Sequence, residues 1–382
     1  MSQVFIPAVF YRGGTSKGMF FHARDLPADR EAAGRIMLAA IGSPDPYQRQ
    51  LNGMGGGLSS LSKAVIIGPS THPEADVDYT FILLAVDEPV ADWSNNCGNL
   101  SSAVGHFAVD EGLVPAADGE VLVRIHQTNT KKLIHSRFEV KNGKAVTQGD
   151  YVIAGVAGGG GRIRLDFLDP GGAVTGKLLP TGRVMDRVDL GADGAYDVSI
   201  VDATSPIAYV AAAALGLDGT ELPDQIEATP GLMGRLEAIR RACGVLMGLG
   251  AHPQEIGLQT PRMAMVAAPR TFTSLDGQTQ DAHAFDIGTR MISMGRAHRA
   301  IPGTGGLNLG VATQIPGTIL QQLSRPANGA GEVRVGNPSG LVSVGAVVRA
   351  DQGGWRADSA LLFRTARRLM QGEIAVPAGA VA

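Results

Sequence analysis

The sequence predicts an α+β protein of two β-rich lobes, each carrying one apolar helix. Three observations carry that prediction. Short runs of β-branched and aromatic residues, bounded by Gly, Pro, Asp or Asn, dominate the chain. Glycine supplies 52 of the 382 residues, about 14% and roughly twice the usual share. That suits many tight turns and backbone lying close to a small ligand. Finally, each half carries one apolar helical segment opened by glycine: Asn96-Cys97-Gly98-Asn99-Leu100-Ser101-Ser102-Ala103 and Ile301-Pro302-Gly303-Thr304-Gly305-Gly306-Leu307-Asn308. Both read as a strand end, a tight turn and a buried helix. The echo suggests a duplicated architecture, two similar lobes with a cleft between them.

Strand patterns fall at residues 4–10, 64–67, 77–86, 121–126, 162–167, 263–267 and 341–348. Helical patterns are fewer: 29–41 after Pro27-Ala28-Asp29, 99–111 just after Cys97-Gly98, 304–313, and a last amphipathic segment at 358–370. Another, 232–247, places Leu232, Leu236, Ile239, Cys243 and Leu246 on one stripe. The turn-rich sequence Gly176-Lys177-Leu178-Leu179-Pro180-Thr181-Gly182 marks a boundary, giving domains 1–182 and 183–382 with the last residues free to pack back on the first.

Composition excludes several classes. A hydrophobic fraction of 44% and a charged fraction of 18% are those of a globular chain. The net charge of −3 gives no electrostatic case for nucleic acid or an anionic membrane. Two cysteines, Cys97 and Cys243, are too few for a disulfide framework or a Cys₄ zinc site. The start, Met1-Ser2-Gln3-Val4-Phe5, runs into strand-like sequence without a signal core, and the apolar-rich stretch 203–217 is too short to span a bilayer. A cytoplasmic protein is expected. The eight histidines show no HxH or HExxH spacing, so no metal site is expected.

Cys97 has the most telling neighbours. Asn95, Asn96 and Gly98 are turn residues that place its thiol at the mouth of a helix, where unpaired amides and positive potential bind carboxylates and favour thiolate. The alternative is a cysteine packed as a small hydrophobe, which fits Cys243 on its apolar stripe far better. Lys63 ends the run Gly53-Met54-Gly55-Gly56-Gly57-Leu58-Ser59-Ser60-Leu61-Ser62 and heads an apolar strand. There it is either a desolvated amine able to act as a base or a lysine that snorkels to the surface. Arg12-Gly13-Gly14-Thr15-Ser16-Lys17-Gly18 lacks the GxxxxGK[ST] spacing, and no GxGxxG follows a strand. These loops read instead as anion holders with exposed amides, hydroxyls and a cationic partner. Gly336-Asn337-Pro338-Ser339-Gly340 is either a third such loop or a plain β-turn.

Taken together, Arg12–Gly18, the 53–63 run, Asn96-Cys97-Gly98-Asn99, Leu165-Asp166-Phe167-Leu168-Asp169-Pro170, the 176–182 turn and the 336–340 turn resemble the PrpF family, in order and over nearly the whole chain. Members of that family isomerise 2-methylaconitate, 3-methylitaconate, 4-oxalomesaconate and related acids. The resemblance implies the diaminopimelate epimerase-like fold, with two pseudo-symmetric β-barrel-like domains each around a central apolar helix. It also implies a Lys63–Cys97 pair as base and acid, with no cofactor. Diaminopimelate epimerase itself uses one cysteine from each half. Here the second-half counterpart is Pro302, which disfavours a two-cysteine racemase or epimerase. The segment Gly57-Leu58-Ser59-Ser60-Leu61 departs from what a 2-methylaconitate enzyme would carry, so the resemblance leaves the substrate within the family open.

The expected carboxylate-binding residues are Arg12, Gly13, Thr15, Ser16, Lys17, Ser59, Ser60, Ser62, Asn96, Gly98, Asn99, Leu100, Thr304, Gly305, Asn337, Ser339 and Gly340, converging on a cleft that Lys63 and Cys97 flank. Arg296 and His298 would add charge from the second lobe. The expected partner is a small unsaturated polycarboxylate, and the reading leaves room for a homodimer. A racemase of a proline-like amino acid and a non-catalytic polycarboxylate-binding protein are the rival readings.

Overall fold

Residues 2–94, 96–326, 331–351 and 354–381 are described in the structure, a computed structural model. The chain forms two compact units, Met1–Phe167 with Phe363–Ala382, and Leu168–Leu362. The turn at Gly182 lies inside the second unit, and the chain's end belongs to the first.

The first unit begins with strands β1 (Gln3–Gly13), β2 (Ser16–His22), β3 (Lys63–Pro69) and β4 (Val77–Leu84). β1 and β2 form an antiparallel hairpin with Gly13 opposite Ser16. β2 runs parallel to β3, β3 antiparallel to β4, and β4 parallel to Gly119–Gln127, which pairs antiparallel with Lys132–Lys141. Helix α1 (Arg30–Ile41) joins β2 to β3. Its first turn is capped by the Asp29 carboxylate, which accepts the Ala32 N–H, and it ends at Gly42 with φ 79. Its apolar side packs on Phe10, Met19 and Phe21. Helix α2 (Ser101–Asp110) follows β4 and is buried from Ser101 to Val109, as a helix without a polar face must be.

The second unit repeats the same succession. Ala195–Ala203 pairs antiparallel with Ser205–Ala211, which runs parallel to Arg262–Ala267. That strand is antiparallel to Ile287–Ser293, in turn parallel to Glu332–Asn337, which pairs antiparallel with Gly340–Asp351. Helices occupy the same two connections: Pro223–Ala228 and Leu232–Leu246 in one, Gly303–Thr313 in the other. The last is buried from Gly305 to Thr313. The duplication expected from two glycine-opened helices therefore extends to every strand of this series. Register makes the match residue-specific. Lys63 precedes Ala64, the partner of Met19, so it stands beside Gly18; Arg262 stands beside Ile207. Gly18 and Ile207 are each two residues into their strands. Arg262 thus occupies in the second unit the place of Lys63 in the first.

Two expectations need correction. Residues 358–370 are not helical: Gly354–Arg364 and Ala366–Pro377 are strands. The second pairs with β1 along its length, Gln3 opposite Pro377 and Gly13 opposite Ala366. Its partner lies at the other end of the chain, and the ladder outweighs helix propensities of a few tenths of a kcal/mol per residue. On Leu232–Leu246 the stripe holds for Leu232, Leu236, Ile239 and Cys243, but Leu246 is exposed and Met247 is buried instead.

Candidate active site

The site in the first unit is built where β3 begins and α2 opens. Lys63 Nζ lies 3.0 Å from Ser16 Oγ and 3.3 Å from Cys97 Sγ. Cys97 is buried, with 8% of its surface exposed, and its backbone is held at the helix mouth. Its carbonyl accepts the Ser101 N–H at 2.9 Å, the Ser101 hydroxyl at 2.9 Å and the Tyr79 hydroxyl at 3.4 Å. Burial raises the Tyr79 pKa well above 10, so the phenol stays a neutral donor. The Leu100 N–H points at Sγ from 3.5 Å, an amide of the first turn turned toward the sulfur. Both residues belong to the first unit, so this pair is assembled within one unit.

Glycine makes the close approach possible. A methyl group on Gly13 would lie 2.7 Å from the Asn99 carbonyl oxygen, and one on Gly18 would lie 2.8 Å from that of Lys63. The 13–18 loop therefore lies directly on the helix mouth and on the head of β3. Asn99 ties the loop down: its Nδ2 donates to Thr15 Oγ1 at 3.0 Å and reaches Ser16 Oγ at 3.5 Å. Its Oδ1 accepts from Arg364 Nε at 3.0 Å. A polar chain thus runs from Cys97 through Lys63, Ser16 and Asn99 to Arg364.

The other expected residues divide by what their polar groups touch. Arg12 Nη1 donates to the carbonyls of Gly14 (3.0 Å) and Thr365 (2.9 Å), so it braces the loop; burial, with Arg367 nearby, lowers its pKa. Lys17 Nζ sits over the Phe10 ring at 5.6 Å. Ser62 is fully buried, its hydroxyl against Gln50 Oε1 (2.7 Å) and the Leu58 carbonyl (2.9 Å). Gln50 also takes the Gly57 N–H and donates to Ser43, and so shapes the run leading to Lys63. Ser59 is exposed and Ser60 half-buried on a short turn. Asn96 Oδ1 accepts from Ser101 at 3.4 Å, and Gly98 lies in the turn before α2. Asn95 is outside the described residues.

In the second unit, Thr304 Oγ1 accepts from Arg262 Nη1 at 2.7 Å, while its carbonyl accepts the Thr204 hydroxyl at 3.0 Å. Gly305 lies against Met291. Asn337 donates to the Gly340 carbonyl and accepts the Ile301 and Ser339 N–H groups, and Ser339 donates to the Arg299 carbonyl. The polar side chains of that hairpin turn are occupied within the turn and by the backbone of Arg299 and Ile301. Arg296 is paired with Glu227 at 2.9 Å, and burial plus Arg262 lowers the His298 pKa.

Sequence reasoning missed Gln50, Tyr79, Arg262 and Arg364. Arg364 was hidden in the segment misread as a helix. Arg262 did carry a signal, a cation heading an apolar strand just as Lys63 does. Among the described residues no three His, Cys, Asp or Glu side chains cluster as metal ligands, and no helix is long and apolar enough to cross a membrane.

Over residues 3–377 the sequence matches the family described as PrpF protein. It is 41% identical over 378 residues to the 3-methylitaconate isomerase of Eubacterium barkeri, with 98% of each chain covered. It is 38% identical over 391 residues to the 2-methyl-aconitate isomerase of Shewanella oneidensis, again with 98% of each covered. The crystal structure of a methylitaconate-delta-isomerase matches with a TM-score of 0.91 at 40% identity, covering 100% of this chain and 98% of that one. A hydroxyproline epimerase from Agrobacterium vitis, at 14% identity and a TM-score of 0.50, shares the fold. Fold and relatives together define an isomerase of the diaminopimelate epimerase-like class. The chain belongs to the PrpF family.

Proposed function

We propose that the protein isomerises a small unsaturated di- or tricarboxylic acid by proton abstraction and return, with Lys63 and Cys97 as the exchanging pair. The observation that carries this reading is the 3.3 Å contact between Lys63 Nζ and Cys97 Sγ, with Ser16 also on the amine. One member of the pair takes an allylic proton, leaving an extended enolate whose charge spreads into a carboxylate. The other returns a proton, to the same carbon after rotation or to the far end of the allyl unit. The atoms balance without a redox step, and the intermediate asks only for a base, an acid and fixed donors.

Charge supports an anionic substrate. Arg12, Lys63 and Arg364 all surround the 13–18 loop, and among the described residues none of them has a carboxylate partner. The second unit argues against a two-base racemase. Cys97 O accepts the Ser101 N–H four residues on, as Pro302 O accepts that of Gly306. Proline therefore stands in the cysteine's place, and Arg262 in that of Lys63. An arginine keeps its proton and cannot serve as the base. Relatives acting on 3-methylitaconate and 2-methyl-aconitate bracket the substrate class. A catalytic thiol must stay reduced, which suits a cytoplasmic enzyme.

The test is proton NMR in deuterated water with 3-methylitaconate, 2-methylaconitate and 4-oxalomesaconate. Wild type should wash deuterium into at least one of them, and Lys63→Ala should not. A wild-type protein that binds these acids but exchanges no proton would be a binding protein, and the reading would fall.

A further inference from the structure

We propose that Arg364 binds one carboxylate of the substrate, with Asn99 aiming its guanidinium; this rests on the polycarboxylate-isomerase reading of the same site. Arg364 ends the strand Gly354–Arg364 and is buried, with 8% of its surface exposed. Nε donates to Asn99 Oδ1 at 3.0 Å, and Nη1 to the Phe363 carbonyl at 2.9 Å. Both acceptors are neutral. Nη2 has no protein partner among the described residues.

A buried cation without a counter-charge is costly, and in folded proteins such groups are paired. Two half-buried arginines of the first unit show the usual arrangement, Arg368 meeting Asp110 and Glu111 and Arg164 meeting Asp166, whereas Arg12 meets only backbone carbonyls. Arg364 departs from it beside the residues that hold Lys63 in place. Burial pushes its pKa down to about 10, so it remains charged at neutral pH. Asn99, which accepts from its Nε, also reaches Ser16, and Ser16 in turn meets Lys63 Nζ, so a polar chain joins the guanidinium to the reacting pair. Its missing counter-ion is therefore of the kind an anionic substrate supplies. A guanidinium with a free nitrogen on its planar fork suits a carboxylate. Arg12, expected from the sequence to do this, has Nη1 engaged by two backbone carbonyls, that of Gly14 in its own loop and that of Thr365.

The experiment compares the acid of the NMR panel that exchanges fastest with each of its monoamides. In wild type, converting the carboxylate that meets Arg364 to an amide should lower kcat/KM on the order of ten- to a hundredfold, the usual worth of a charged hydrogen bond. Arg364→Gln should lower the acid by a similar factor yet barely change that amide, so the discrimination collapses; Arg364→Lys should restore part of it. Asn99→Asp supplies an internal carboxylate to the guanidinium. It should raise KM for the acid without lowering the melting temperature. If Arg364→Gln weakens acid and amides by the same factor, or Asn99→Asp leaves KM unchanged, Arg364 is only a brace and the inference is overturned. Failure of the function itself reads differently: wild type then exchanges no proton into any acid of the panel.

Discussion

Acid should weaken the fold through one residue of α2, His106. Its ring is fully buried and packs on Phe138 with centroids 4.6 Å apart. Neither ring nitrogen has a hydrogen-bond partner. Burial, helped by the positive charge of Arg12 and Arg368, pushes its pKa down from 6.5 to about 3. In the unfolded chain the imidazole takes up a proton near pH 6.5, while in the folded protein it stays neutral until about pH 3. Between those values the unfolded state holds the extra proton, so stability falls as pH falls. The slope is about 1.4 kcal/mol per pH unit, so acidifying from pH 6.5 to pH 5 removes about 2 kcal/mol through this group alone. His106→Leu has similar volume and nothing to protonate. Urea denaturation followed by far-UV circular dichroism at pH 7 and pH 5 measures the difference. The variant's stability relative to wild type should rise by about 2 kcal/mol on acidification. An unchanged difference at the two pH values would mean that the ring is hydrated or paired, and the argument from burial would fail. Because α2 opens at Cys97, wild-type activity lost in mild acid should return with the fold on neutralisation.

The two cysteines should separate cleanly. Cys97→Ser should lower turnover by a factor on the order of a hundred to ten thousand, with substrate binding by calorimetry nearly unchanged. Cys243 is fully buried, and burial pushes its pKa up to about 12. Cys243→Ser should cost about 1–3 kcal/mol of stability through an unpartnered hydroxyl, while turnover at matched folded fraction stays normal. The opposite pattern would reverse their roles. Gly13→Ala places a methyl group 2.7 Å from the Asn99 carbonyl, so it should displace the loop and depress turnover more than the melting temperature. Equal losses in both would make Gly13 a folding residue only.

Local chemistry let much of this be read from sequence. The cap of α1 at Asp29, the α2 and Gly303–Thr313 helices with few charged residues, and the strand headed by Lys63 are all set by neighbours within a few residues. The same holds for the turn at Asn96-Cys97-Gly98, whose residue types mark a helix mouth wherever the chain folds. The end of the chain was illegible because residues 366–377 become a strand only by meeting β1, a partner no window on the sequence contains. Tertiary structure alone brought Lys63 to Cys97, by way of the β2–β3 and β3–β4 registers that place the head of β3 beside Gly18 and the mouth of α2. It alone turned Arg364 inward onto Asn99. Residue types set which side chains are able to move a proton or hold a carboxylate. Which of them meet is decided by long-range strand pairing, because hydrogen-bond geometry is met over about 3 Å while the sequence separations run to hundreds of residues.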